Sequence, residues 1–304
     1  MTRPVVLLNT VLPEQAQQLA ETAFEIRRTT QATGDAIADG DLTTARAMIT
    51  APSTGAPSSL IAAMPALELI AVTGAGLDLV DTDLARRRGI EIYPTGGWLA
   101  EDVADTALML MMATVRTLLK GDQLVRSGGW ASARLPLTRS AHSRRVGLVG
   151  FGSIGQALAR RLAAMNCDIR YFSRRPVPER TERHEPDLRA LADWAEVLVL
   201  ALPGGAATEG LIDASILAAL GPQGVLINVA RGSVVREEDL IVALQTGGIA
   251  GAGLDVFENE PQPDPRFRDL TNTVYMPHCG SASVEAREAA AGEAVRRVMQ
   301  SLTA

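Results

Sequence analysis

Apolar positions along the first hundred residues fall in short β-branched runs separated by helical spacing. Val5 to Asn9, Met48 to Thr50, Leu69 to Thr73 and Ile90 to Tyr93 read as strands, and Pro13 to Thr22 as a helix. Alternation of this kind predicts a parallel sheet covered by helices. Glu101 to Val125 then reads as one long helix, with Val103, Ala107, Leu110, Met111, Thr114 and Leu118 on its apolar face and Gly128-Gly129 just beyond its end. A polar stretch from Ser132 to Arg144 reads as the approach to a second domain, and His142 within it as a solvated linker residue. From Arg145 a second series follows, with strands at Val146–Val149, Ile169–Phe172, Val197–Ala201, Val225–Asn228, Ala250–Asp255 and Val274–Met276. Six strands with crossovers predict a doubly wound sheet. Ser283 to Leu302 is a final helix rich in Ala, Glu and Arg, expected to return to the first domain.

A length of 304 residues is more than one domain usually needs. Hydrophobic residues at 47% and charged residues at 21% match ordinary globular usage, and only 4% are aromatic. The net charge of -6 argues against a nucleic-acid partner, which would require a clustered basic face. Cys167 and Cys279 lie far apart without metal-ligand spacing, so no metal is expected and both read as buried free thiols in a reducing compartment. The start Met1-Thr2-Arg3-Pro4 has no long apolar run and no segment is long enough to span a membrane, which together place the expected location in the cytoplasm.

Chemistry enters at Gly150-Phe151-Gly152-Ser153-Ile154-Gly155, directly after an apolar strand and directly before the helical run Gln156–Ala164. In that setting backbone N–H groups and a helix N-terminus can face a pyrophosphate, so a dinucleotide is the expected ligand. At the end of the next strand a fold preferring NAD carries an acid for the ribose 2′-hydroxyl. Ser173 stands there instead, followed by Arg174 and Arg175, a hydroxyl and two guanidiniums suited to the 2′-phosphate of NADP(H).

Three further segments stand at predicted strand ends: Asn228-Val229-Ala230-Arg231-Gly232, the stretch from Gly253 to Pro261, and Met276-Pro277-His278-Cys279-Gly280. Carboxyl ends of parallel strands face the ligand crevice, which gathers Arg231, Glu260 and His278. Reducing a 2-oxo acid takes a cation for the carboxylate, a proton donor for the nascent alkoxide and a hydride. Arg231 can clamp oxygens with its planar fork, His278 can deliver the proton, and Glu260 on the other ring nitrogen would favour the imidazolium.

On these motifs the chain resembles the D-isomer-specific 2-hydroxyacid dehydrogenases, most closely the NADPH-dependent glyoxylate/hydroxypyruvate reductase branch, over nearly all the sequence from about Leu67. The resemblance implies an α/β architecture of two Rossmann-like domains. A doubly wound parallel-sheet dinucleotide-binding domain would span residues 99–282. A smaller, flavodoxin-like substrate domain would be discontinuous, made of residues 1–98 and 283–304. It implies Arg231 for substrate orientation, Glu260 and His278 as the acid/base pair, and Asp255 near the nicotinamide carboxamide. It further implies that Leu202, Pro203 and Thr208 flank the adenosine half, that Val229, Ala230, His278 and Gly280 contact the cofactor, and that the N–H groups of Ala75 and Gly76 hold the substrate carboxylate. Glu101 to Asp105 matches the family's start of the inter-domain helix, and similar enzymes are homodimers joined through the dinucleotide-binding domain.

Two positions depart from the family pattern. Thr95-Gly96-Gly97-Trp98 replaces a Thr-Pro pair and a small aliphatic residue, so Trp98 would line the substrate pocket or pack at the domain seam. Ala75 is smaller than the usual Val and would enlarge the region beside the carboxylate site. The implied activity is reduction of glyoxylate, hydroxypyruvate or a similar short 2-oxo acid. Reduction of a bulkier, phenylpyruvate-like acid and a non-catalytic, corepressor-like cofactor sensor are the alternatives.

Overall fold

In a computed structural model, which describes residues 3–30, 37–38 and 42–303, the chain divides into two compact units. Residues up to Leu99 and from Ser281 onward form one, and Ala100–Gly280 the other. The polar stretch read as the approach to a second domain therefore lies inside the second unit, where Arg144 is buried and ion-paired with Glu196 at 2.7 Å.

The first unit holds a six-stranded sheet in the order β3-β2-β1-β4-β5-β6. Its strands are β1 (Val5–Asn9), β2 (Glu25–Thr30), β3 (Ile37–Ala38), β4 (Ala47–Thr50), β5 (Leu69–Val72) and β6 (Glu91–Pro94). All pairings are parallel except β2 with β3. Without that antiparallel edge strand the order is the flavodoxin-like one. Side chains alternate across the sheet as strand geometry requires. Val6, Leu8, Ile49, Leu69 and Ala71 face α1 (Glu14–Ala23) and the C-terminal helix, while Leu7, Met48, Ile70 and Val72 face α2 (Ser58–Ala62) and α3 (Thr82–Arg87).

The second unit opens with α4 (Ala100–Val115) and α5 (Leu118–Arg126), where the sequence pattern predicts one uninterrupted helix. The break is at Thr117, whose φ of 48° is left-handed, so Leu118 leaves the apolar face and is exposed. Ala107, Leu110 and Met111 of α4 are buried as expected. Seven parallel strands follow in the order β13-β12-β11-β10-β7-β8-β9, one more than the hydrophobic pattern marks. They are β7 (Arg145–Val149), β8 (Asp168–Phe172), β9 (Arg183–His184), β10 (Val197–Leu200), β11 (Val225–Asn228), β12 (Gly251–Leu254) and β13 (Thr273–Tyr275). On one face Val146, Leu148, Val199 and Ile227 meet α4 and α6 (Ser153–Ala164). On the other, Val149, Leu198, Leu200 and Leu226 meet α7 (Leu188–Trp194), α8 (Ala214–Leu220) and α9 (Glu237–Thr246).

The final helix α10 (Val284–Thr303) belongs to the first unit, burying Ala291, Ala294, Val295 and Val298 against its sheet. Glu288 on this helix accepts from the Gln15 and Ala16 amides at 3.2 and 3.3 Å, supplying the N-terminal cap that Pro13 does not give α1. No helix among the described residues is long and apolar enough to cross a membrane. His142 is exposed beside the Ser143 hydroxyl. Cys167 and Cys279 are free thiols, but both are half-buried where burial is expected.

Candidate active site

All strands of the second sheet run the same way, so the turns after β7, β8, β10, β11, β12 and β13 emerge on one edge. These turns carry the expected site residues of this unit.

The turn after β7 meets the steric demands of a phosphate cradle. Gly150 has φ 96°, and a Cβ there would stand 2.4 Å from the Ala201 carbonyl oxygen. A Cβ at Gly155 would stand 2.5 Å from the Gly150 oxygen, so the helix lies directly on the turn. At Gly152 a Cβ would meet nothing within 4 Å, so this glycine keeps open space rather than relieving a contact. Gly152 caps α6 with no side-chain hydrogen bond, and Ser153 and Ile154 open the helix. The pattern of two tight glycines around one facing open space fits a bound pyrophosphate. Phe151 stacks on Tyr171 with ring centroids 4.0 Å apart, anchoring the turn to β8.

After β8, the Ser173 hydroxyl donates to the Arg175 carbonyl at 2.6 Å, a tight turn that presents Arg174 and Arg175 to solvent. Neither guanidinium has an ion-pair partner among the described residues. Arg180, which sequence reasoning passed over, donates to Gln156 at the start of α6 and lies over the Phe151 ring at 5.7 Å. After β10, Leu202 is half-buried and Pro203 exposed, and the Thr208 hydroxyl donates to the Pro203 carbonyl at 2.8 Å.

Glu260 and His278 meet directly, with Glu260 Oε2 2.5 Å from His278 Nδ1. The other carboxylate oxygen accepts the Phe257 N–H at 2.8 Å, which sets the Glu260 rotamer from its own turn. His278 sits at φ 51°, and its N–H donates to the Asp255 carbonyl at 2.7 Å. The Asp255 carboxylate is buried and accepts the Cys279 and Gly280 amides at 2.9 Å each. Burial pushes the Asp255 carboxyl up despite those two amides, and burial with the adjacent Asp255 pushes the Cys279 thiol up. Asp255 thus fastens the left-handed turn bearing His278, a role its place in the motif did not disclose.

Arg231 follows β11 in a turn pinned by buried Asn228. Asn228 Oδ1 accepts from the Ala230 N–H, Asn228 Nδ2 donates to the Arg231 carbonyl, each at 3.0 Å, and Val229 and Ala230 are buried between them. One Arg231 nitrogen donates to the Ala230 carbonyl at 2.7 Å. Gly232 ties this turn to that of Glu260, because a Cβ on it would lie 1.9 Å from the Phe257 carbonyl carbon and 2.3 Å from the Glu258 nitrogen. A cleft of about 630 Å³ opens beside the pair, lined by Glu260, His278, Phe257, Pro261, Phe267 and Tyr275 among others.

Ala75, Gly76 and Trp98 belong to the first unit. Ala75 is exposed and Gly76 buried, and neither N–H donates to a protein acceptor among the described residues. Gly96 comes so close to Ala75 that a Cβ on it would sit 2.4 Å from the Ala75 Cβ. Backbone, not open space, therefore occupies part of the room that a small residue at position 75 creates. Trp98, in a single 3-10 turn (Gly96–Leu99), is half exposed.

Residues 108–280, more than half of the chain, match the family of D-isomer specific 2-hydroxyacid dehydrogenases through its NAD-binding domain. The chain belongs to that family. As a 2-hydroxyacid dehydrogenase it is 48% identical to the 2-ketogluconate reductase of Gluconobacter oxydans, over 80% of this chain and 78% of that protein. It is 40% identical to a glyoxylate/hydroxypyruvate reductase of Arabidopsis thaliana, over 81% and 79% respectively. Among solved structures, the NADPH-dependent glyoxylate/hydroxypyruvate reductase of Sinorhizobium meliloti, in complex with NADP and malonate, superposes with a TM-score of 0.91 at 38% identity, covering 99% of this chain and 94% of that one. The dehydrogenase is thus an α/β enzyme of two Rossmann-like domains with an NAD(P)-binding sheet.

Proposed function

We propose that this dehydrogenase reduces a short 2-oxo acid with NADPH, His278 giving the proton and Arg231 orienting the substrate. The observation that carries the reading is the 2.5 Å contact between Glu260 and His278 Nδ1, which fixes the ring and turns its other nitrogen to proton donation. With Nδ1 held by the carboxylate, Nε2 is the nitrogen that would hand its proton to the substrate oxygen. When bound, the reduced nicotinamide supplies the hydride, so the carbonyl carbon gains an electron pair while its oxygen takes the His278 proton. Arg231 offers a planar fork of N–H donors to the substrate carboxylate and carbonyl.

The cofactor is held at Gly150 to Gly155, with Arg174 and Arg175 addressing a 2′-phosphate. What supports NADP(H) over NAD(H) is the pair of unpaired guanidiniums after β8 and the absence of an acid at Ser173. One charge-assisted hydrogen bond contributes about 1.5–3 kcal/mol, so Arg174→Ala should weaken NADPH by roughly ten- to a hundredfold. NADH binding should change little, and equal losses for both cofactors would reverse the assignment. We assign the Ala75 and Gly76 amides and Trp98 to the substrate, supported by the unengaged N–H pair and the exposed indole. Asp255 is assigned to the carboxamide side of the cofactor through the turn it fastens, together with Val229, Ala230 and Gly280, and Leu202, Pro203 and Thr208 to the adenosine half.

A longer substrate is the second reading, favoured by the 48% identity to a reductase named for a six-carbon sugar acid. Initial rates with glyoxylate, hydroxypyruvate, 2-ketogluconate and phenylpyruvate against both cofactors separate the two. Absence of turnover throughout would point to a cofactor-sensing protein instead. A cytoplasmic homodimer completes the reading, supported by free thiols and by exposed Leu118, Leu119, Val125, Trp130 and Leu137 on the second unit. Sedimentation at a single-chain mass would refute the dimer.

A further inference from the structure

Five polar or charged residues are buried in the second unit: Thr106, Arg144, Asn228, Glu237 and Asp255. Arg144 pairs with Glu196. Thr106 donates to the Gly280 carbonyl, Asn228 holds the Arg231 turn, and Asp255 holds the His278 turn. Glu237 is left, in the first turn of α9.

Glu237 Oε1 accepts the Glu258 N–H at 2.7 Å. The residue before, Phe257, donates its own N–H to Glu260, and the Phe257–Glu258 peptide is the one against which Gly232 presses. Among the described residues, Glu237 thus reaches from another element to hold the backbone of the turn from Phe257 to Glu260. We propose that Glu237 is a positioning residue that sets Glu260 against His278 by fixing the Glu258 amide. This rests on the reading of Glu260 and His278 as the acid/base pair.

The surroundings argue that the carboxyl serves as an acceptor. Burial, then the nearby Glu258, Asp264 and Glu260 carboxylates, push its carboxyl up, while the Glu258 amide pulls the other way. Arg266 pairs with Glu238 and Asp264, but no ion pair reaches Glu237 itself among the described residues. A packing role there would be served better by an apolar residue, since a buried acid among acids is unfavourable. An apolar residue, however, would leave the Glu258 N–H without its acceptor. A neutral amide side chain meets both demands.

The test compares Glu237→Gln, which keeps an acceptor, with Glu237→Leu, which has none, in the full-length protein. A displaced Glu260 should lower kcat by about ten- to a hundredfold in Glu237→Leu with KM for NADPH nearly unchanged, whereas Glu237→Gln should stay within about twofold of the parent. The His278 Nδ1 proton, followed by NMR without substrate, should keep its downfield hydrogen-bonded resonance in the Gln variant and lose it in the Leu variant, because only a correctly placed Glu260 carboxylate holds that short contact. An unchanged Nδ1 proton resonance in the Leu variant would overturn the proposal, as would a Gln variant that loses it as the Leu variant does. Should Glu237→Leu fail to fold, Glu237→Asp withdraws the acceptor by one methylene and is read by the same resonance. Because that resonance needs no turnover, a parent enzyme inactive on every 2-oxo acid would sink the proposed function alone.

Discussion

His278 and Gly232 make opposite kinds of demand on the site. Replacing His278 by Asn removes the proton donor, so kcat should fall by about 10²–10⁴ while NADPH titrated by fluorescence still binds. An active variant would deny His278 its role. Gly232→Ala instead adds one methyl where the Phe257 carbonyl already stands, so the Arg231 and Glu260 turns must separate. Overpacking of this sort costs about 1–3 kcal/mol, and here it should lower both urea resistance and kcat. A Gly232→Ala enzyme with parental kcat would mean the two turns act independently. The placement of Arg231, Glu260 and His278 in the turns beyond β11, β12 and β13 was legible in the sequence because each lies in a recognisable motif after an apolar run. Glu237 and Gly232 were not, because their importance lies in contacts to Phe257 and Glu258, more than twenty positions away, which no local pattern records.

Among the elements, those with alternating or continuous apolar runs were readable, and the polar ones were not. Strand β2 reads Glu-Ile-Arg-Arg-Thr-Thr, its charges tied in Arg27–Glu25 and Arg28–Glu21 pairs, so it carries almost no hydrophobic period. Strand β9 is an edge of two residues, Arg183 and His184, too short for any pattern. The break between α4 and α5 was hidden for a different reason: neither Gly nor Pro marks it, and a β-branched Thr adopts the left-handed conformation. That conformation costs an L-residue about 1–2 kcal/mol, and glycine escapes it. Thr117→Gly should therefore raise the melting temperature, and a lowered one would show that the Thr117 side chain compensates the backbone.

On the scale of the whole molecule, stability should carry the signature of the buried acids. Glu237 has its carboxyl raised in the folded state, so the native protein binds that proton more tightly than the unfolded chain does. Its contribution is fully present below the ordinary Glu range near about pH 4.3 and is lost as pH rises through the raised value. Glu237→Gln keeps the neutral form at every pH. Its stability advantage over the parent in urea unfolding should thus grow between pH 4 and pH 8, and an advantage that shrinks would contradict the sign.

The return of α10 to the first unit orders events during synthesis. The stretch from Ala100 to Gly280 is continuous and can form its sheet as soon as it clears the ribosome, but the sheet of the first unit stays without one of its covering helices until α10 has been translated as well. For that interval Val6, Leu8 and Ile49 are left open on the face that Val295 and Val298 later cover, so a unit begun before Ala100–Gly280 matures after it. Chaperone contacts on the nascent protein should concentrate there.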